Sequence, residues 1–267
     1  MENLWKTSND LPKETANLEN LKVSYLVNRR EVKYPRLEIK PDKSILVILP
    51  LNNSENLTPE KFLIEKKKWI VKKFEKIDRY LKFVSNYEKE LENKAFIFGK
   101  FYDITIERGT RKNIVLNGNE IKILTPNERD YHNYLKKWIK GQLRQKTNVY
   151  ISKYSKEMHV EFNKVFIKSQ KNKWASCSSK ANLNLNLKLA ALPEELIEYI
   201  VIHELAHLKD RKHNEKFWAL VKKYCPHYKV IEDKLGGFWF LIERNCFWNE
   251  IEKIKSHEWV KVIELGK

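Results

Sequence analysis

Glycine is scarce in this chain, 7 in 267 residues, and nowhere do the few present form a loop that could cradle phosphates. Cysteine is scarcer. Cys177, Cys225 and Cys246 are odd in number and lack C-x-x-C spacing, which excludes a disulfide framework and a zinc ribbon and points to a reducing compartment. No apolar stretch approaches the roughly 20 residues needed to span a bilayer, and Met1 to Asn20 is too polar for a secretory signal. The expectation is a cytoplasmic protein with no membrane partner. Acidic charge is also in deficit: 35 Asp and Glu stand against 52 Lys and Arg, a net charge of +17. Residues 131 to 180 alone hold twelve lysines and arginines against two glutamates. Such a field attracts anionic substrates, nucleotides or nucleic acid, but no helix-turn-helix, zinc-finger or RRM-type signature accompanies it.

What is present is a metal-binding pattern. His203-Glu204-Leu205-Ala206-His207 places two imidazoles at i and i+4, about one helical turn apart on one face, where a single tetrahedral ion takes both. The spacing predicts a helix from Leu192 to Lys209. Pro193 suits its first position, and Glu194 and Glu195 complement its N-terminal dipole. Leu196, Ile200, His203 and His207 form one stripe, with Ile197, Val201, Leu205 and Leu208 beside it. Glu204, on the flank, occupies the general-base position of zinc hydrolases. A catalytic zinc needs a third protein ligand and an open position. The charged turn Lys209 to Lys212, ahead of a second helix from Asn214 to Tyr224, can fold His213 back as that ligand.

The rest reads as α+β. Residues 1–20 hold few apolar side chains and form a flexible lead-in, with order beginning near Leu21. Residues 21–126 are β-rich around one long helix. Val23 to Leu49 reads as a small antiparallel sheet with a turn at Pro41-Asp42-Lys43-Ser44. Thr58-Pro59 opens the helix, whose apolar stripe includes Phe62, Trp69, Ile70, Phe74 and Ile77. Asn117-Gly118 marks a hairpin. Residues 127–235 form the catalytic core: a helix from Asn127 to about Lys156, then strands Lys164 to Ser169 and Ala181 to Leu189, expected to pair antiparallel. The second strand's polar face, with Asn184 and Asn186, offers a rail for an extended peptide. Gly236-Gly237 breaks the chain before an aromatic C-terminal extension, residues 236–267, that includes Trp239, Trp248 and Trp259 and packs back on the protein. No internal repeat is visible.

The run Lys173-Trp174-Ala175-Ser176-Cys177-Ser178-Ser179-Lys180, then Asn182-Leu183-Asn184-Leu185-Asn186, Leu192-Pro193, the H-E-L-A-H helix, His213 and Phe217-Trp218 resembles the YgjP-like metallopeptidases, which belong with the SprT-like and WLM-type minimal zincins. The likeness is strongest over residues 160 to 228. The chain departs from it in having Lys173-Trp174-Ala175 where the family usually has Arg-Trp-Gly. The resemblance implies a zincin-like core, Zn²⁺ held by His203, His207 and His213, Glu204 as base, and an extended peptide or protein substrate. Lys173, Trp174, Ser176, Asn184 and Asn186 are the candidate substrate-site residues. Two other readings use the same residues: a zinc-dependent nucleotide pyrophosphatase, favoured by the basic stretch, and a non-catalytic nucleic-acid-associated zinc module.

Overall fold

The computed structural model describes residues 13–51, 57–127 and 131–252. Residues before Lys13, and the tail with Trp259, lie outside them. The chain divides at Leu81 into two compact units, not at residue 126, so the second β-rich stretch belongs with the site-bearing unit.

The first unit begins earlier than Leu21. Strand β1 (Glu14–Leu18) pairs antiparallel with β2 (Leu21–Arg30). β3 (Arg36–Ile39) pairs antiparallel with β4 (Ile45–Pro50) across the predicted turn. The sheet order is β1-β2-β4-β3, and β2 and β4 run parallel, so the expected all-antiparallel sheet is mixed. The central β4 is buried from Ile45 to Leu49, as its unbroken apolar run requires when both faces are covered. α1 (Pro59–Glu65) starts where predicted, Thr58 Oγ1 accepting from the Lys61 N–H at 3.2 Å. It gives way at Lys66 to α2 (Lys67–Ser85). Ile70 and Ile77 are fully buried and Phe74 nearly so, but Trp69 is 38% exposed. One residue before Ile70, its indole is turned off the buried stripe.

In the second unit α3 (Glu88–Asn93) precedes β5 (Ala95–Ile97), β6 (Lys100–Arg108), β7 (Asn113–Asn117) and β8 (Glu120–Thr125). β7 and β8 make the predicted hairpin, with Gly118 at φ +56°. The order β5-β6-β8-β7, with β6 and β8 parallel and the outer pairs antiparallel, repeats the plan of the first sheet strand for strand. Helices follow in both cases, and both carry the same tetrapeptide, Lys67-Lys68-Trp69-Ile70 in α2 and Lys136-Lys137-Trp138-Ile139 in α4 (Tyr131–Glu157). A topological repeat therefore exists that inspection of the sequence did not reveal. Strand alternation is generic, and a shared tetrapeptide is too short to stand out in a lysine-rich chain.

α4 buries Leu135, Ile139, Leu143, Thr147, Ile151 and Tyr154 along one stripe and packs against α5 (Glu194–Ala206). The third sheet frames the site. β9 (Val165–Lys168), β10 (Ala175–Cys177) and β11 (Leu183–Asn186) lie in the order β10-β11-β9. β9 and β11 are parallel, not antiparallel as expected. The loop between them carries β10, which takes the antiparallel place beside β11 and forces a crossover. The strand also stops early: the Asn186 side chain accepts from the Lys188 N–H at 3.2 Å and turns Leu187–Ala191 into a short 3-10 helix.

α6 (Glu215–Tyr224), α7 (Tyr228–Arg244) and α8 (Cys246–Glu252) complete the unit. Gly236-Gly237 does not break the chain, because α7 runs through it. A Cβ on Gly237 would lie 2.9 Å from Cδ1 of Phe83, so this glycine admits a ring rather than a turn. The described part of the extension is integral to the unit. Trp239, Leu241 and Trp248 are buried, and Trp248 Nε1 donates to the Phe96 carbonyl at 2.7 Å.

Candidate metal centre

Beyond its exposed first turn, α5 is buried on every side from Tyr199 to Ala206, as befits a stretch so rich in apolar residues; it carries His203 into the interior and ends at the half-buried His207. Their ring centroids are 5.0 Å apart. His203 is 2% exposed, whereas His207 and His213 are half-buried. The chain leaves α5 through a tight turn in which Asp210 Oδ1 accepts from the Lys212 N–H at 2.9 Å and Oδ2 from Asn214 Nδ2 at 2.6 Å. Asn214 then caps α6 by accepting from the Phe217 N–H at 3.0 Å. This pair of side-chain locks returns His213 to the first two histidines, as the spacing predicted. The Nε2 atoms of His203 and His213 are 3.1 Å apart, and one ligand nitrogen from each of the three rings falls within 4.8 Å of the others. Nitrogens bound about 2.0 Å from a tetrahedral ion stand roughly 3.3 Å apart.

The rings rest on Phe217, which is fully buried, with centroids 5.0 Å from His203 and 4.6 Å from both His207 and His213. Trp218 lies 5.6 Å from His213 and stacks on Tyr228. Burial holds all three imidazoles below the usual histidine range. For His203, pushed down to about 3, the neighbouring His207 and His213 add to the effect. All three are therefore neutral near pH 7, the form that ligates. His207 Nδ1 faces the Asp210 carbonyl at 3.2 Å. An N–H there fixes the tautomer and leaves Nε2 for a metal. Three neutral imidazoles converging on one point fit a divalent metal ion.

Glu204 points from the next position of α5 and is 3% exposed. Burial pushes its carboxyl up to about 8 against the pull of the Lys173 charge and of the Cys177 backbone N–H that donates to it. Its Oε2 has no hydrogen-bond partner among the described residues. Burial also raises the Cys177 thiol, and the Glu204 charge adds to this while Arg211 opposes it.

The residues expected to meet substrate separate. Lys173 is exposed, with its charge felt at Glu204. Ser176 is half-buried on β10, opposite Asn184. Asn184 spends its amide on the Ser176 carbonyl, 3.4 Å away. Trp174 is 1% exposed and meets Trp239 edge-on at 4.7 Å, so it is core. Asn186 is wholly buried. Its amide donates to the carbonyls of Lys173, at 2.6 Å, and Gln170, at 2.8 Å, bracing the loop into β10. The supposed wet face of β11 is thus covered at Asn186 and also at Lys188, which is buried in an ion pair with Glu243, 4.5 Å from the Trp239 ring centroid. β11 is paired on both edges, and the open edge beside the site is that of β10. Sequence reasoning missed Phe217 as the platform and Asp210 and Asn214 as the locks of the turn. The Asn214-to-Phe217 capping spacing is the one signal that could have found the last.

An α+β fold that brings a histidine triad and a buried carboxylate together from one helix-turn-helix defines a metallohydrolase. The chain belongs to the YgjP-like metallopeptidase domain family, whose match covers residues 33–237. It is also similar to the UTP pyrophosphatase of Escherichia coli (strain K12), at 30% identity over 81 residues, which are 30% of this chain and 48% of that protein. The chain thus matches about half the length of that relative. Among solved structures, the metallopeptidase zymogens abylysin of Pyrococcus abyssi and jannalysin of Methanocaldococcus jannaschii are 30% and 29% identical. Each match covers 33% of this chain, with 90% and 84% of the other chain and TM-scores of 0.32 and 0.31. No helix among the described residues is long and apolar enough to cross a membrane.

Proposed function

We propose that the protein is a zinc-dependent peptidase in which His203, His207 and His213 hold the ion and Glu204 moves the proton. The observation that carries this reading is the convergence of three neutral imidazole nitrogens within 4.8 Å beside a buried carboxylate with a free oxygen. A zinc ion held there would supply an acidified water, of pKa about 7, and a Lewis acid for the scissile carbonyl. Glu204, raised towards neutrality by burial, is matched to take a proton from water and return it to the departing amine. The Cys177 N–H aims its carboxylate and the Lys173 charge offsets part of the cost of ionising it. An extended peptide would run along the outer edge of β10, where the Cys177 N–H is already given to Glu204, with Ser176 and Lys173 alongside.

A second reading keeps the same residues and changes the substrate to a nucleoside triphosphate. It is favoured by the likeness to a UTP pyrophosphatase and by the basic stretch before β10. Mass spectrometry separates the two. Zinc-loaded protein is given unfolded peptides and nucleoside triphosphates together, with Glu204→Gln as control. Peptide fragments that vanish in Glu204→Gln, at a loss of about 100-fold or more in rate, are expected. Glu204-dependent release of pyrophosphate from nucleotides with peptides intact would overturn the assignment in favour of the second reading. A Glu204→Gln protein that retains zinc and full turnover would remove Glu204 from the mechanism.

A further inference from the structure

A cavity of about 320 Å³ opens beside the histidine triad. Its lining includes His207, Lys209 and Arg211 from α5 and the turn after it, Cys177 at the end of the open strand β10, and His159 and Glu161 from the segment after α4. One wall is thus a candidate metal ligand and another is the strand proposed to hold substrate. A group seated in it would be attached close to the bond being broken.

The charge of the cavity is uneven. Two cations, Lys209 and Arg211, face one carboxylate, Glu161. Arg211 is anchored: Nη2 donates to the Ser179 carbonyl at 3.0 Å, and its positive charge is felt at the Cys177 thiol on the same lining. A guanidinium tethered by one N–H keeps others in a planar fork that matches a carboxylate. The wall beyond β10 is held by backbone bonds, Ser178 N to Asn182 O at 2.9 Å and Ala181 N to Ser178 O at 3.0 Å. That wall and the Arg211 tether are therefore in place before a ligand arrives, which limits the ordering cost of binding.

We propose that this cavity is a specificity subsite for a carboxylate next to the scissile bond, with Arg211 as its selecting contact and Lys209 in support. The inference rests on the hydrolase reading above and adds the class of substrate: peptides bearing an acidic side chain, or a free C-terminal carboxylate, beside the point of cleavage.

Fluorescence anisotropy with the zinc-loaded Glu204→Gln protein reads binding without turnover. The probes are labelled alanine-rich hexapeptides that carry glutamate or glutamine at each internal position in turn, with acid or amide C-termini. At one position, or at the terminus, the carboxylate form should bind about 10-fold more tightly than its amide. Which pair shows the difference tells side chain from chain end. Arg211→Gln should shrink the preference to within about 2-fold, and Lys209→Gln should weaken it less. Equal binding of acid and amide forms by protein with Arg211 intact overturns the subsite, whether or not the variants fold. A preference that survives in Arg211→Gln overturns the role of Arg211. The same peptides given to protein with Glu204 intact keep the two claims apart. Cleavage indifferent to acid would overturn the subsite and leave the peptidase reading standing, whereas acid-selective binding with no cleavage would do the reverse.

Discussion

Phe217 makes van der Waals contact with all three imidazoles and presents no polar atom of its own, so its influence on a bound metal is purely one of position. Shortening it to leucine removes ring area beneath the cluster while keeping an apolar floor. Such a large-to-small change at a fully buried site leaves a small cavity and should cost about 1 to 3 kcal/mol. Ligand geometry is less forgiving. Phe217→Leu is expected to fold and to bind metal about 10-fold more weakly, as read by competition with a chromophoric chelator. Unchanged affinity would reduce Phe217 to ordinary core. The histidines themselves were legible because i and i+4 spacing is a local property of any helix. Phe217 was not: an aromatic at i+4 from a histidine in the next turn looks like any other core residue until the turn is folded.

Elements were legible where their signals were local and misread where partners decided. The Thr58-Pro59 start and the Asn117-Gly118 hairpin depend on the chemistry of a few neighbouring residues, and both stand as predicted. The direction of β9 against β11 depends on where the intervening loop goes, which no alternation pattern records. The alternation read from Leu183 to Leu189 holds only as far as Asn186, where the strand gives way to a 3-10 helix, and alternation says which residues share a face and not whether that face is wet. Asn186 shows the difference. Its amide satisfies two carbonyls of the loop, so Asn186→Leu would strand both Lys173 O and Gln170 O and free the Lys188 N–H. A loss of about 2 to 4 kcal/mol is expected, measured by urea unfolding. A loss under about 0.5 kcal/mol would mean that the loop into β10 holds itself.

Across the whole molecule, the centre sets how stability responds to pH. Unfolded histidine titrates near 6.5, while folded His203 stays neutral down to about 3, and His207 and His213 are lowered too. Below about 6.5 the unfolded chain takes up protons that the folded chain refuses, so stability falls with falling pH. Glu204 acts oppositely. Raised to about 8, its folded carboxyl keeps a proton that the unfolded one loses near 4.5, and it costs stability as pH rises through that window. With three imidazoles against one carboxylate below 6.5 and the carboxylate alone above, metal-free protein should be most stable near pH 6.5. Glu60, held low by the Tyr25 hydroxyl, steepens the acid side. Thermal unfolding of chelator-treated protein from pH 4 to pH 9 tests this, and a flat profile between 6.5 and 8 would contradict the burial of Glu204. A saturating metal should lift the alkaline side, because a cation beside Glu204 favours its ionised form.

His203 sits on the buried stretch of α5 and the half-buried His207 caps its end, while His213 hangs from a short turn held by Asp210 and Asn214. The consequence is one of time rather than strength. His203 and His207 are both fixed to that helix, so an ion held by all three histidines would be expected to leave stepwise, His213 first. The lifetime of such an ion would then be the lifetime of that turn, and exchange with the surrounding pool would proceed by its brief openings, with the core undisturbed.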